Sequence, residues 1–442
     1  MRIQNRVAHR RIEDLLAGIR SAPGRIAIAF VYRDFRLLWA GAFTSSIGTW
    51  MQKVAQAWLI VTMTGSRSAF YLGLDSFLAE LPLLLFTVIG GVISDRHDRR
   101  YSILMSQITQ MLVALTLALL VFTRRIHIAH VLTLSFTVGC VRAFGGPAYQ
   151  SLLPTLVDRE HIPNAIALNA IQFNLAQVIG PMFAGAALST FGIAACFSLN
   201  GISFLFVIAA ILALRNVRSP AKGTEGFGIQ LRDCLRFIQD SPSLANVMAV
   251  GFFTTFLGVP LFTFLPIVTR DVFHRDVAFY TKLMTFSGAG ALTGAVIIAW
   301  LGKSRHMGRI LRMLLMFFGV AIIGFGLSRR PGLSASIVFA GGALFVMSSS
   351  LATSLAQLLA PPAMLGRVVS VYLIAFLSGS PLGSIASGWL ITRIGSAPEM
   401  LVINGTALTL VAFYFLIHGQ NYKDFHSLWR NQERSYDDRT GS

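Results

Sequence analysis

Apolar stretches long enough to cross a membrane alternate along this chain with short polar breaks. A span needs about 20 predominantly apolar residues. A window of that size finds runs over 36–62, 70–93, 101–122, 129–153, 165–189 and 192–214. A second set follows over 244–268, 279–301, 309–327, 333–359, 368–392 and 398–418. In hydrocarbon each segment must satisfy its own peptide groups, so every run predicts an α-helix. The expected fold class is an all-α membrane protein with twelve transmembrane helices in two six-helix halves. The halves are separated by a polar linker, 215–243, that carries Arg215, Arg218, Lys222, Arg232 and Arg236. Within it Ile229, Leu231, Leu235 and Ile238 are spaced for a short amphipathic helix on the membrane surface. The chain thus divides into a basic N-terminal segment (1–34), a first bundle (35–214), the linker (215–243), a second bundle (244–418) and a tail (419–442). Ile12, Leu15, Leu16 and Ile19, set among arginines, predict another surface helix. The N-terminal segment lacks the apolar core of a signal peptide, so no cleaved leader is expected.

Composition agrees with this pattern. Hydrophobic residues make up 54% and charged residues 13%, against the roughly 25% charge of a soluble domain. The net charge of +18 raises nucleic acid as a partner. However, the basic residues are separated by long apolar runs and form no stripe interleaved with aromatics, which excludes it. Topology explains the charge instead. With both termini in the cytoplasm, 26 of the 37 Lys and Arg residues fall on the cytoplasmic side and nine on the opposite side, and only Lys53 and Arg142 lie within spans. This is the bias of the positive-inside rule. Cys140, Cys196 and Cys234 are too scattered for a disulfide framework. The nine histidines sit in loops or at span ends, and the His127/His130 pair has no carboxylate or thiol beside it. No metal site and no cofactor are expected.

The two halves echo each other. Gln150 and Pro154 repeat as Gln357 and Pro361, Gly185 and Gly192 as Gly388 and Gly395, and Asn200-Gly201 as Asn404-Gly405. Their shared order indicates an internal duplication, and paired repeats around a midplane site are a transporter architecture.

Three motifs sharpen this. Between spans 2 and 3 stands Gly91-Val-Ile-Ser-Asp95-Arg96-His-Asp98-Arg99-Arg100. It resembles the G-x-x-x-D-R-x-G-R-R loop of the major facilitator superfamily, with Asp98 in place of the second glycine. The resemblance implies a cytoplasmic latch in which Gly91 allows close helix approach and Asp95 faces the positive end of span 11, after Gly366-Arg367. Arg96, Arg99 and Arg100 would then anchor it by ion pairs. Span 5 carries Ala176-Gln-Val-Ile-Gly180-Pro181-Met-Phe-Ala184-Gly185, similar to the antiporter signature of the same superfamily, with Gly379-Ser-Pro381-Leu-Gly383 as a looser counterpart in span 11. Arg142 and Gly145-Gly146-Pro147-Ala148 in span 4 resemble its proton-coupling motif. Together these place the chain near the drug/proton antiporter branch that contains macrolide and enterobactin exporters. That branch implies the bacterial cytoplasmic (inner) membrane and proton-coupled efflux of small amphipathic molecules.

Charges within spans are costly and so are functional candidates. Glu80, Arg142, Lys53 and Asp75 are the proton-coupling candidates. Glu80 lies deepest by sequence, and Asp75 closer to the outer end of span 2. Glu80 reads equally as a proton carrier or as a silent ion pair with Lys53 or Arg142. The second half has no deep charge but is rich in Phe and Met, so Phe252, Phe256 and Met284 are candidate walls of a greasy substrate pocket. A monomer working with substrate, protons and lipid is expected. A lysophospholipid flippase or uptake facilitator, and more remotely a receptor or scaffold, stand as alternatives. An enzyme would need clustered polar catalytic groups within spans, which are not seen. Reporter fusions near Gly223 and in the tail should both signal cytoplasm, and a periplasmic signal from either would reverse the assignment of sides.

Overall fold

The computed structural model describes residues 28–96, 98–215, 237–238, 241–302, 306–361 and 364–418, with the backbone alone for 87–96 and 418. The first six long helices are α1 (Arg33–Thr64), α2 (Ser68–Arg96), α3 (Arg99–Phe122), α4 (Ile128–Leu152), α5 (Ile162–Thr190) and α6 (Ile193–Leu212). The second six begin with α7, followed by α8 (Val277–Leu301), α9 (Met307–Leu327), α10 (Pro331–Leu359), α11 (Leu365–Ile394) and α12 (Ala397–His418). The α7 span is broken into Pro242–Gly258, Pro260–Thr263 and Leu265–Asp271. Pro260 and Pro266 stand where the second and third pieces start, each removing a backbone donor that an unbroken helix would use. Most helices outrun their apolar run by a few residues. The window sees only the part in hydrocarbon, while polar ends such as Arg33 continue the helix into the interface. The surface helices expected at 12–19 and 229–238 lie almost wholly outside the described residues.

The pairing of helices repeats between the halves. In the first, α1 packs on α5 and α6, α2 on α4, and α3 on α4 and α6. In the second, α7 packs on α11 and α12, α8 on α10, and α9 on α10 and α12. Each pair recurs six helices later, as a duplicated six-helix unit requires. Finer devices recur too. A Cβ on Gly180 of α5 would strike Trp50 of α1, and one on Gly383 of α11 would strike the Phe256 carbonyl of α7. Arg100 of α3 donates to the carbonyls of Leu212 and Leu214 at the end of α6, and Arg312 of α9 donates to that of Phe415 near the end of α12 (2.9 Å). Cations at helix C-termini oppose the negative end of the helix dipole.

Membrane helices gain little from apolar burial against one another, so close backbone contact does much of the joining. The outer surface is accordingly apolar, with Trp300 86% and Phe122 80% exposed. The halves meet along α2–α11 and α5–α8. Call the end where the described chain enters α1 and leaves α12 the terminal end, and the other the far end. At the far end α2 lies on α11 with Gly73 against Ser384 and Ala69 against Gly388, and α5 lies on α8 with Gly185 against Thr281. Trp58 and Tyr280 stack across the halves at 5.9 Å. Arg270, at the end of α7, donates to the carbonyls of Val61 and Gly65 and to Ser68 Oγ, all in the first half. The far end is therefore clasped shut. Hydrogen bonds from charged donors contribute about 1.5–3 kcal/mol each, so Arg270→Ala should shift the closed population by roughly tenfold or more. Spin labels at Ser66 and Ser396 in a cysteine-free background should then report longer, broader distances, and unchanged distances would show that Arg270 does not hold this end.

Candidate functional site

Polar side chains that cannot face lipid turn inward from α1, α3, α4 and α5 and line a cavity of about 410 Å³. Its lining comes mainly from the terminal-end parts of these helices, from Ser106, Gln107 and Gln110 on α3 to Gln150 on α4 and Asn169 and Gln172 on α5. Gln150 is exposed, so the cavity opens toward the terminal end. A smaller cavity of about 90 Å³ adjoins it, sharing Thr49, Lys53, Gln110 and Arg142 and adding Gln52, Gln56 and Ser135. Two bases thus stand in the wall of both.

Small residues make the arrangement possible. Gly145 of α4 leaves no room for a Cβ beside Ser106, whose hydroxyl donates to the Val141 carbonyl (3.0 Å). This contact seats α4 against α3 at the level of Arg142. Lys53 is exposed in the cavities it lines and lies over the Trp50 ring, 4.7 Å from its centroid. Trp50 in turn meets Phe173 edge-on at 5.9 Å. The amides are largely paired. Gln172 donates to Ser46 Oγ (2.9 Å), Asn200 to Gln52 Oε1 (2.6 Å) and Tyr149 to Asn169 Oδ1 (3.1 Å). Gln107 Oε1 is buried without a hydrogen-bond partner among the described residues.

The candidate carboxylates differ in setting. Asp75 accepts from Gln56 Nε2 on both oxygens (2.9 and 3.0 Å) and from Ser135 Oγ (2.6 Å), which ties α1, α2 and α4 together. Gln56 also donates to Ser135 Oγ (2.9 Å). Glu80 is half-buried and has no ion pair within 4.0 Å among the described residues. Lys53 lies within electrostatic reach of Arg142, Glu80 and Asp75. Sequence reading ranked Glu80 first by depth, whereas the structure gives the hydrogen-bonded position to Asp75. Gln56 and Ser135 went unnoticed there, although an amide or hydroxyl within an apolar span was the available signal.

The remaining expected residues fall elsewhere. The side chains of Gly91, Asp95 and Arg96 lie outside the described residues. Arg99 donates to the Ser151 carbonyl near the end of α4 (3.3 Å), as Arg100 does at α6, and Asp98 caps α3 by accepting from the Arg100 amide (2.9 Å). Gly180 packs against α1 and Pro181 is buried, while Gly185 faces α8 across the halves. Phe252 and Phe256 stack on α7 at 5.3 Å. Their carbonyls face Gly379 and Gly383 of α11, and neither they nor the half-buried Met284 lines the polar cavity. The wall of this cavity belongs to the first half and mixes polar and apolar side chains.

Twelve long helical spans among the described residues, in two pseudo-repeated halves closed at one end and enclosing a charged cavity that opens at the other, define a multi-pass membrane transporter. The sequence profile of the transmembrane secretion effector family matches residues 28–432, and the chain belongs to that family of the major facilitator superfamily. It is 23% identical over 389 residues to macrolide efflux protein A of Streptococcus pyogenes, covering 86% of this chain and 94% of that one. It is 26% identical over 383 residues to the enterobactin exporter EntS of Escherichia coli O1:K1 / APEC, covering 85% and 91%. It is also 21% identical over 290 residues to the staphyloferrin A transporter of Staphylococcus aureus, covering 65% and 72%. Among solved structures, a bacterial homologue of the human lysosomal transporter Spinster, inward-facing and occupied, superposes with a TM-score of 0.67 at 17% identity, covering 89% of this chain and 98% of that one. A D-xylose–proton symporter gives 0.66 at 14% identity, covering 88% and 96%. Both share the fold.

The hydrogen bonds around Asp75 predict a contrast between the two carboxylates. Asp75→Ala strands donors on Gln56 and Ser135, at about 1–3 kcal/mol for each unmet group, whereas Glu80→Ala strands none. The melting temperature in detergent should fall for the first and hold for the second. Equal melting would show that the Asp75 network contributes nothing to stability.

Proposed function

We propose that this chain exports small amphipathic organic molecules, of drug or siderophore type, from the bacterial cytoplasm in exchange for protons. It works as a monomer in the inner membrane, with both termini cytoplasmic. The observation that carries this reading is the charged polar cavity opening at one end while the Arg270 clasp and small-residue contacts close the other. A cavity reached from one side only, between halves joined by narrow contacts, suits alternating access by rocking of one half on the other. The charge bias among loops favours the cytoplasm for the terminal end, so this conformation takes substrate from inside. The relatives whose names specify macrolide efflux, enterobactin export and staphyloferrin A transport support the substrate type and, for the first two, the direction. Asp95 and its arginines would lock the terminal end once the halves rock over, which suits their place at the end of α2.

Proton coupling falls to Asp75 and Glu80, with Lys53 and Arg142 as the bases that each would neutralise when ionised. Protonation of a carboxylate in this cluster changes its net charge, and the conformation best able to solvate that charge changes with it. In proteoliposomes loaded with a compound that the cells resist, external acid should drive its release in a protonophore-sensitive way, and Asp75→Asn should abolish the accompanying proton movement. Glu80→Gln should leave at least half of it. The reverse pattern would move the carrier role to Glu80, and export unaffected by a protonophore would remove proton coupling from this reading.

A further inference from the structure

The wall of the larger cavity carries two bases, Lys53 and Arg142, and no Asp or Glu. Neither base has a carboxylate of a described residue within ion-pair distance. The nearby acids act on Lys53 from outside this space. Asp75 is committed to Gln56 and Ser135, and neither Asp75 nor Glu80 lines the cavity. Cations within a membrane protein are costly unless they serve a pathway or a partner. Here the partner is not supplied by the wall itself. Aromatic faces flank the two bases, with Trp50, Tyr149, Phe173 and Phe204 in the same lining. Gln107 also lines this space, its oxygen buried without a hydrogen-bond partner among the described residues. A volume of about 410 Å³ falls within the range of small-ligand sites, where a few placed polar groups set orientation and selectivity.

On the exporter reading above, we infer that the substrate is an acidic molecule. It bears a carboxylate or acidic phenol held between Lys53 and Arg142, and an aromatic or flat apolar portion lies against Trp50 and Phe173. Arg142 offers a planar fork that takes an oxyanion pair side-on, and Lys53 a compact charge that adapts to the second oxygen. Cationic amphiphiles are disfavoured by the same two charges, whatever their apolar fit. The selection therefore separates acidic compounds from basic ones of equal size and greasiness.

The test uses the purified full chain in uncharged detergent and a matched pair of probes, 1-naphthaleneacetate and 1-naphthylmethylammonium. Binding is read by titration calorimetry and by the shift in melting temperature, neither of which needs transport to occur. The anion should bind at least roughly tenfold more tightly than the cation, and Lys53→Gln or Arg142→Gln should each cost about that factor. Lys53→Arg should restore most of the loss, and Lys53→Glu should turn the preference toward the cation. Because the two probes are compared on the wild-type chain, the result stands even where a variant folds poorly. Equal or tighter binding of the cation, binding of neither probe, or anion binding indifferent to both Gln variants overturns the inference. A compound panel in which cells export basic drugs independently of Lys53 would also overturn it while leaving the exporter reading intact. Selective anion binding by a chain that moves nothing across a vesicle would do the opposite.

Discussion

In hydrocarbon there is no water to satisfy a peptide group or to solvate a charge, and the rest of this structure follows from that restriction. The backbone is driven into helices because only they close their own hydrogen bonds within one segment. Side chains sort in the same way. Phe122, Phe191 and Trp300 lie exposed on the outside, where lipid costs them nothing, while Lys53, Arg142 and the amides of α1, α3, α4 and α5 are turned inward to a cavity. Even the arginines at the membrane boundary obey it. Arg99, Arg100 and Arg312 spend their donors on carbonyls near helix ends that would otherwise lack partners.

The same restriction decides how the two halves are joined. Apolar burial gives no strong drive between helices already surrounded by apolar lipid, so contact depends on how near two backbones come. Gly73 beside Ser384, Ala69 beside Gly388 and Gly185 beside Thr281 bring α2 to α11 and α5 to α8 at the far end. Such seams bring backbones together at small residues, with the stacked Trp58 and Tyr280 bridging the halves beside them. Arg270 adds a directional element to them, since its hydrogen bonds reach groups of the first half that must part if this end opens.

Duplication was retained unevenly. The pairing of helices, the Gly180 and Gly383 contacts and the Arg100 and Arg312 caps all repeat. The charged cavity does not. Lys53, Asp75, Glu80 and Arg142 all belong to the first half, while the corresponding region of the second carries an aromatic set that includes Phe262, Phe318, Phe345, Tyr372 and Phe376. Packing that both halves need was kept in both, and polar chemistry was concentrated where one site suffices.

Span number, helix limits and the two-half plan were legible in the chain itself, because each depends on a local property: the length of an apolar run, the place of a proline, the side on which arginines collect. Gly180, Gly185 and Gly383 could also be singled out, since a small residue at helical spacing is a local mark of close packing. Which carboxylate joins the hydrogen-bond network could not. Depth along α2 favours Glu80, but whether Asp75 meets Gln56 and Ser135 depends on how α1 and α4 are rotated against α2. The placing of Phe252 and Phe256 off the cavity wall likewise follows from α7 lying on α11. Sequence by itself determined a twelve-span membrane protein with two bases inside it, because hydrophobic length and charge are properties of single segments. Only the tertiary structure decided that those bases share a cavity without a carboxylate in its wall, because facing is a property of helices packed together.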